Sequence, residues 1–167
     1  KKAESLLLKC QTIDPENHAV MYDRAGLALA RQSGPEALEL ALAASELAPE
    51  NKWYALLLAE LYIAKGDFKK AESAYEEIIT NHPSAFEYTY DLSMVRYRAG
   101  DINGAIDALD DILNKNGFSE EVFQQKQLLY RESGQADKAV KELEDKIKEN
   151  PTDPLYYGML AELYTGM

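Results

Sequence analysis

The stretch WYALLLAELYIAKGDFKKAESAYEEIITNHP, from Trp53 to Pro83, contains two helical patterns separated by a turn. Apolar residues of the first pattern recur at i, i+4, i+7 and i+8, on one helix face: Tyr54, Leu58, Leu61 and Tyr62. The second pattern has a similar stripe: Phe68, Ala71, Tyr75 and Ile78. Between the stripes, Gly66 suits the left-handed conformation that ends many helices, and Pro83 ends the second helix because it restricts the preceding residue. The stretch therefore predicts a hairpin of two helices.

The hairpin pattern returns along the chain with a period of 34 residues. KKAES occurs at Lys1–Ser5 and Lys69–Ser73, which are separated by 68 residues, or twice 34. AELY occurs at Ala59–Tyr62 and Ala161–Tyr164, which are separated by 102 residues, or three times 34. One column of this alignment holds a small residue in every copy: Ala3, Ala37, Ala71, Ala105 and Ala139. Such a period predicts a solenoid, because one hairpin is too small to bury its own apolar stripes and must stack on its neighbours.

The pattern resembles the signature of the tetratricopeptide repeat, and the resemblance covers the whole chain. In the copy that begins at residue 52, the matching residues are Trp53, Leu58, Ala59, Tyr62, Gly66, Phe68, Ala71, Tyr75, Ile78 and Pro83. The resemblance implies an all-α fold: a right-handed α-solenoid, or superhelix, of antiparallel helix hairpins, with about ten helices. It also implies a single array over 1–167, with half repeats at 1–17 and 154–167 and full repeats at 18–51, 52–85, 86–119 and 120–153.

The composition limits the classes of partner. The net charge is −11, from 18 basic and 29 acidic residues, so the surface repels phosphate backbones and we expect no nucleic-acid binding. No apolar run approaches the roughly 18 residues that span a membrane, since Glu60 interrupts the run from Trp53 to Ala59, and we expect a soluble chain without membrane insertion. The sequence leaves the compartment open, and a cytoplasmic and an exported bacterial protein both fit it.

The sequence shows no arrangement typical of an active site, and we expect a protein that is not an enzyme and has no cofactor or metal. The two histidines, His18 and His82, fall at helix boundaries in different repeats. The one cysteine, Cys10, cannot form an internal disulfide, and its place in the stripe Leu7–Cys10 predicts a small buried hydrophobe rather than a metal ligand.

Four polar residues interrupt columns that are otherwise apolar or small. Arg24 and Lys126 stand in the column of Leu58, Leu92 and Leu160. Gln127 replaces the alanine found at Ala25, Ala59 and Ala161, and Arg96 stands in the column of Tyr62, Tyr130 and Tyr164. Loose packing, side chains that extend to the surface, and polar contacts between helices are three explanations. We favour the first two.

The resemblance implies a function in protein recognition. In tetratricopeptide arrays the first helix of each repeat lines a concave groove, which usually holds a peptide or helix of a partner protein. The corresponding residues are Tyr22, Gly26 and Leu29; Trp53, Leu56, Glu60 and Ile63; Glu87, Tyr90, Met94 and Tyr97; and Glu121, Gln124, Leu128 and Arg131. Aromatic and methionine side chains are typical anchors of protein interfaces. If these side chains instead pack against each other, the alternative is a structural or self-assembling repeat segment of a larger protein.

The two ends of the sequence predict self-association. Lys1–Ser5 opens a second helix without its first, and 154–167 forms a first helix without its second, so we expect a piece of a longer array. Without further helices, apolar residues at both ends lack cover: Leu6, Leu7, Cys10, Leu155, Tyr156, Met159 and Leu163. We expect these faces to be buried against another molecule, end to end or as a dimer.

Overall fold

The computed structural model describes residues 2–82 and 87–166, and within these ranges the chain forms ten α-helices and no strand. The helices are α1 Lys2–Ile13, α2 His18–Ala30, α3 Gly34–Leu47, α4 Lys52–Lys65, α5 Phe68–Asn81, α6 Glu87–Ala99, α7 Ile102–Asn116, α8 Glu120–Glu132, α9 Ala136–Glu149 and α10 Pro154–Gly166. The predicted fold class, an all-α solenoid of helix hairpins, is confirmed. Three residues used in the sequence analysis, Lys1, Pro83 and Met167, lie outside the described ranges.

Side chains at the helix starts explain several of these boundaries. The first backbone N–H groups of a helix have no partner within the helix, and an Asn, Asp or Ser side chain just before it can accept a hydrogen bond from them. Six helices begin in this way, with caps at Asn17, Asn51, Asp67, Asp101, Ser119 and Asp153. Three of the capped helices, α2, α4 and α8, begin where the predicted full repeats begin; the division into four full repeats stays a prediction.

The turn between α4 and α5 uses Gly66 as the sequence predicts. Gly66 has a φ of 78°, and its N–H donates to the carbonyl of Ile63 at 3.0 Å. The N–H of Asp67 reaches back to the carbonyl of Tyr62 at 2.9 Å, which closes the helix end. Gly100 and Gly134 occupy the same column and also have positive φ, at 85° and 70°. The column therefore marks a left-handed backbone conformation, which residues with a Cβ atom adopt less readily than glycine.

We expect Gly66→Val to lower the free energy of unfolding by about 1–2 kcal/mol, because a β-branched residue is strained at positive φ. Gly100→Val should cost a similar amount. Thermal or urea unfolding measures both, and Gly158→Ala is the control, since Gly158 lies within α10 at negative φ and a Cβ there meets open space. Unfolding midpoints that match the wild type for both valine variants would contradict the role of these glycines.

The described helices fall into two compact units, Lys1–Ala99 and Gly100–Met167. In the first unit, one core cluster joins α2 and α3 to α4, and its buried members from α2 and α3 are all alanines: Ala25, Ala28, Ala37 and Ala41. A second cluster joins α4, α5 and α6, with Ala59 and Ala71 both fully buried in it. Small side chains let helices approach closely, which is the reason predicted for the alanine column.

In the second unit, the core between α8, α9 and α10 is built around Phe123, Leu143 and Tyr156. The rings of Phe123 and Tyr156 meet edge to face, with centroids 6.0 Å apart. Tyr156 and Leu163 are both buried in this core, so the expectation that they lack cover is wrong. The reason is that α10 turns these residues toward α8 and α9.

On α1, unlike α10, apolar residues remain exposed. Leu6 is 61% exposed and Cys10 is also exposed, as expected for a face without cover, and Leu7 is partly buried. The prediction that Cys10 is a buried hydrophobe is wrong, because α1 packs against α2 and Cys10 lies outside that contact. Cys10 is a free, exposed thiol.

The polar residues in the apolar columns make polar contacts between helices, so the interpretation that we favoured is wrong. The Lys126 side chain is only 4% exposed, and its ammonium donates to Asp110 on α7 and Glu142 on α9. Burial lowers the pKa of Lys126, but these two carboxylates outweigh it, and the pKa lies above its usual value. Gln127 also donates to Glu142, at 2.9 Å.

Arg96 and Arg24 follow the same rule in the first unit. The Arg96 guanidinium bridges two carboxylates of α5, with 2.7 Å to Glu72 and 2.9 Å to Glu76. Arg24 donates to Gln11 on α1 and lies 3.9 Å from Glu36 on α3. A long basic side chain can fill an apolar column when its neighbours supply oxygen atoms.

Candidate functional site

None of the fifteen residues predicted to line a groove is buried in its unit. In the first unit, the exposed members are Gly26, Leu29, Trp53, Glu60 and Glu87, and the partly buried members are Tyr22, Leu56, Ile63, Tyr90, Met94 and Tyr97. In the second unit, Glu121, Gln124 and Arg131 are exposed and Leu128 is partly buried. Each predicted residue therefore keeps at least part of its surface exposed within its unit.

Some of these side chains also support the core. Leu56 and Ile63 pack against the cluster between α4, α5 and α6. Tyr22 packs against Tyr54 on α4, with ring centroids 5.0 Å apart. Leu29 instead lines a cavity of about 550 Å³ with residues of α3 and α4, among them Leu38. These contacts give the face a fixed shape and use part of its apolar surface.

Trp53 is the most exposed aromatic residue of the set, at 56%. It lies in the first turn of α4, where its backbone N–H donates to the side-chain oxygen of the Asn51 cap at 3.1 Å. The Lys52 ammonium lies 5.1 Å from the centre of the indole ring and 5.8 Å from that of Tyr88. A cation over an aromatic face is attractive, so Lys52 helps to hold the ring in place on α4.

His18 and Tyr54 also support this face, although neither was predicted to belong to it. The ring nitrogen Nδ1 of His18 lies 2.7 Å from the hydroxyl of Tyr54, which ties the start of α2 to α4. Burial, and then Asp23 and Tyr22, raise the pKa of Tyr54, so its hydroxyl keeps its proton at neutral pH. His18 and Tyr54 are 36 residues apart, and nothing in the sequence pattern indicates that they meet. Their contact depends on how α2 and α4 cross.

Acidic groups gather around α4, α5 and α6. Burial, and then the negative charges of Asp91 and Glu60, raise the pKa of Tyr75 to about 12. Burial and Glu87 raise the pKa of Asp91. Since Glu60 and Glu87 belong to the predicted groove, the face of the first unit combines aromatic rings with negative charge.

In the second unit, three predicted residues line a cavity of about 390 Å³: Gln124, Leu128 and Arg131. Its other lining residues were not predicted from the sequence: Gln127, Leu143, Met159, Glu162 and Leu163. Gln127 is 8% exposed, and its Oε1 is buried and has no hydrogen-bond partner within the part of the chain that the structure describes.

Over 2–82 and 87–166, no three His, Cys, Asp or Glu side chains are grouped so that they could hold a metal ion. None of the helices placed by the structure has the length and apolar character that crossing a membrane requires.

Comparisons with known proteins agree with the repeat architecture. The tetratricopeptide repeat family matches residues 56–119. The Protein CTR9 homolog of Arabidopsis thaliana is 30% identical over 129 residues, which are 75% of this chain and 12% of that protein. The chain thus spans only a small part of this curated relative.

Two solved structures are similar in fold. A tetratricopeptide repeat protein from Parabacteroides merdae has a TM-score of 0.71 at 23% identity, over 98% of this chain and 65% of that one. YrrB, a tetratricopeptide repeat protein with an unusual peptide-binding site, has a TM-score of 0.63 at 17% identity, over 95% of this chain and 82% of that one. The match places residues 56–119 in the tetratricopeptide repeat family, and the two similar structures show that the chain has the fold of tetratricopeptide repeat proteins.

Proposed function

We propose that the chain is a non-enzymatic interaction module whose groove residues bind a peptide or helix of a partner protein. The exposure of Trp53 carries this proposal, because a large aromatic side chain held on a helix face is the kind of residue that anchors protein interfaces. Tyr90, Met94 and Tyr97 lie partly buried on α6 and extend the same predicted face. The similar fold of YrrB, which has a peptide-binding site, supports this class of function.

Charge indicates the kind of segment that fits. The predicted face of the first unit carries Glu60 and Glu87, with Asp91 beside them, and the whole chain has a net charge of −11. Complementary charge speeds association and suppresses wrong partners. We therefore propose a neutral or basic segment with apolar anchors as the partner, and no nucleic acid.

Trp53 also provides the experiment. It is the one tryptophan of the chain, so its fluorescence reports on this face alone. A peptide selected from a displayed random library against the purified chain should shift the Trp53 emission to the blue and protect it from iodide quenching, because binding removes the ring from water. Selected peptides that bind without changing the emission of Trp53 would contradict binding at this face.

The alternative, a self-assembling segment, is favoured by one observation. Leu6 and Ile13 on α1 are 61% and 83% exposed, and Tyr157 and Tyr164 on α10 are exposed as well. Exposed apolar residues concentrated on one helix mark a surface that can associate. If these helices pair between copies, the chain is a building block of an assembly rather than a receptor for peptides.

We expect sedimentation velocity at tens of micromolar to show association, and we expect Leu6→Glu with Ile13→Glu to reduce it. Each glutamate would place a charge in the apolar contact at little cost to the fold, since both side chains are exposed. Lys69→Gln with Lys70→Gln, on exposed positions of α5, lowers the net charge by the same two units and is the control. A monomer at all concentrations would remove the self-assembly alternative.

A further inference from the structure

The cavity of the second unit lies between α8 and α10, with Leu143 of α9 also in its lining. Apolar side chains supply part of the wall: Leu128, Leu143, Met159 and Leu163. Polar groups of Gln124, Gln127, Arg131 and Glu162 complete it. A volume of about 390 Å³ falls within the range of cavities that bind small groups.

The repeat explains why this space is open. A shift of 68 residues, or two repeats, relates Leu143 to Tyr75, Leu128 to Glu60 and Met159 to Asp91. In the first unit, Tyr75 is buried in the core between α4, α5 and α6, where its ring packs with Ala59, Leu92 and Val95. Leucine at position 143 has neither the ring nor the hydroxyl. The second unit therefore lacks the phenol that fills the equivalent place in the first.

Gln127 adds an unpaired hydrogen-bond acceptor to the cavity. Its column otherwise holds the small residues Ala25, Ala59, Ser93 and Ala161, so a long amide side chain is found there only in Gln127. Its Nε2 is used, because it donates to Glu142 at 2.9 Å. Its Oε1 is a buried acceptor without a partner in the described residues, and native proteins rarely leave such groups unpaired.

We propose that the cavity binds a tyrosine side chain of the partner segment, with its hydroxyl donating to Oε1 of Gln127 and its ring against Leu128, Leu143 and Met159. The partner thus supplies from outside the phenol that Tyr75 supplies within the first unit. The Met159 sulfur and the two leucines suit an aromatic ring. A phenylalanine would leave Oε1 unpaired, so the site distinguishes the two side chains by one hydroxyl. This assignment rests on the proposed function, because it names one anchor of the bound segment.

The test uses p-cresol as a probe of the tyrosine side chain and toluene as its match without the hydroxyl. In methyl-labelled protein, p-cresol should shift the NMR signals of Met159 and Leu143 saturably, with the Met94 methyl in the first unit as an internal control. One neutral hydrogen bond corresponds to roughly a fivefold difference, so toluene should bind about five times more weakly. Equal affinity for the two probes, or no saturable shift with p-cresol, would overturn the proposal.

Two variants locate the effect. Leu143→Tyr places in α9 the residue that its column has at Tyr75, and it should fill the cavity and abolish the p-cresol shifts. Gln127→Met keeps the size of the side chain but removes the acceptor, and it should bring p-cresol and toluene to equal affinity. An undiminished preference for p-cresol in Gln127→Met would overturn the role of Oε1 even if Leu143→Tyr fails to fold.

The outcomes distinguish a failure of the tyrosine site from a failure of the proposed function. A chain that binds selected peptides through Trp53 but does not bind p-cresol keeps its groove function and loses the tyrosine site. A chain that binds p-cresol as expected but no peptide keeps the pocket and loses the groove function.

Discussion

Asp110→Asn combined with Glu142→Gln is expected to lower the free energy of unfolding by about 3–5 kcal/mol at neutral pH. The Lys126 side chain is 4% exposed, and these two carboxylates hold its ammonium. With both neutralised, the folded chain must bury an unpaired charge or release a proton from it, and either is costly. Urea unfolding at pH 7 measures the change.

The matched control is Lys126→Leu, which restores the residue type of Leu58, Leu92 and Leu160 in the same column. Added to Asp110→Asn and Glu142→Gln, it should bring the unfolding free energy back to within about 1 kcal/mol of the wild type, because replacing all members of a buried ion pair together leaves no charge unpaired. A double variant as stable as the wild type would show that Lys126 does not depend on Asp110 and Glu142.

The pH dependence follows from the same contact. The pKa of Lys126 is raised in the folded chain, because its carboxylate partners outweigh the effect of burial. Its contribution to stability is therefore complete below the unfolded pKa of about 10.4 and is lost as the pH rises through the higher folded value. Lys126→Leu should remove this part of the alkaline loss of stability.

Tyr90→Ala combined with Tyr97→Ala is expected to weaken the binding of a selected peptide by about 2–4 kcal/mol, because both rings lie on the predicted binding face of α6. Such a loss is a decrease in affinity of roughly 30- to 1,000-fold. Isothermal titration measures it, and circular dichroism checks that the helices remain.

The control is Tyr157→Ala with Tyr164→Ala, which removes two exposed tyrosines of α10 that the groove does not include. It should leave the affinity for the peptide nearly unchanged. If the α6 variant keeps both its affinity and its helical signal, the tyrosines serve packing, and the structural array becomes the better description of the chain.

The helices and turns could be predicted from the sequence because the repeat presents the same local signals several times. Gly66, Gly100 and Gly134 each mark a positive φ, and a single copy would have been weak evidence. Even here one turn was missed, since Gln32 stands in the glycine column and still adopts a φ of 61°. The backbone of the repeat evidently sets this angle even where the residue is not glycine.

The polar contacts could not be predicted in the same way. A column shows that Lys126 replaces a leucine, but it does not show that Asp110 and Glu142 supply oxygen atoms from the helices on either side. The burial of Tyr156 likewise depends on which face α10 turns toward α8 and α9. Such features depend on how helices cross, and a linear pattern does not contain that information.

The cavity of the second unit is an intermediate case. The sequence shows Leu143 in the column of Tyr75, and Gln127 in a column of small residues. Their consequence appears only when the ring of Tyr75 is seen to occupy the core between three helices. A difference between repeat copies was therefore a usable signal whose meaning required the structure.

The most direct test of groove binding is to map a bound peptide by amide chemical-shift changes in the isotope-labelled chain. Binding at the proposed face predicts the largest changes on α4 and α6, at Trp53, Tyr90 and Met94, with little change along α3 and α5. Changes confined to α3 and α5, with Trp53 unaffected, would contradict it.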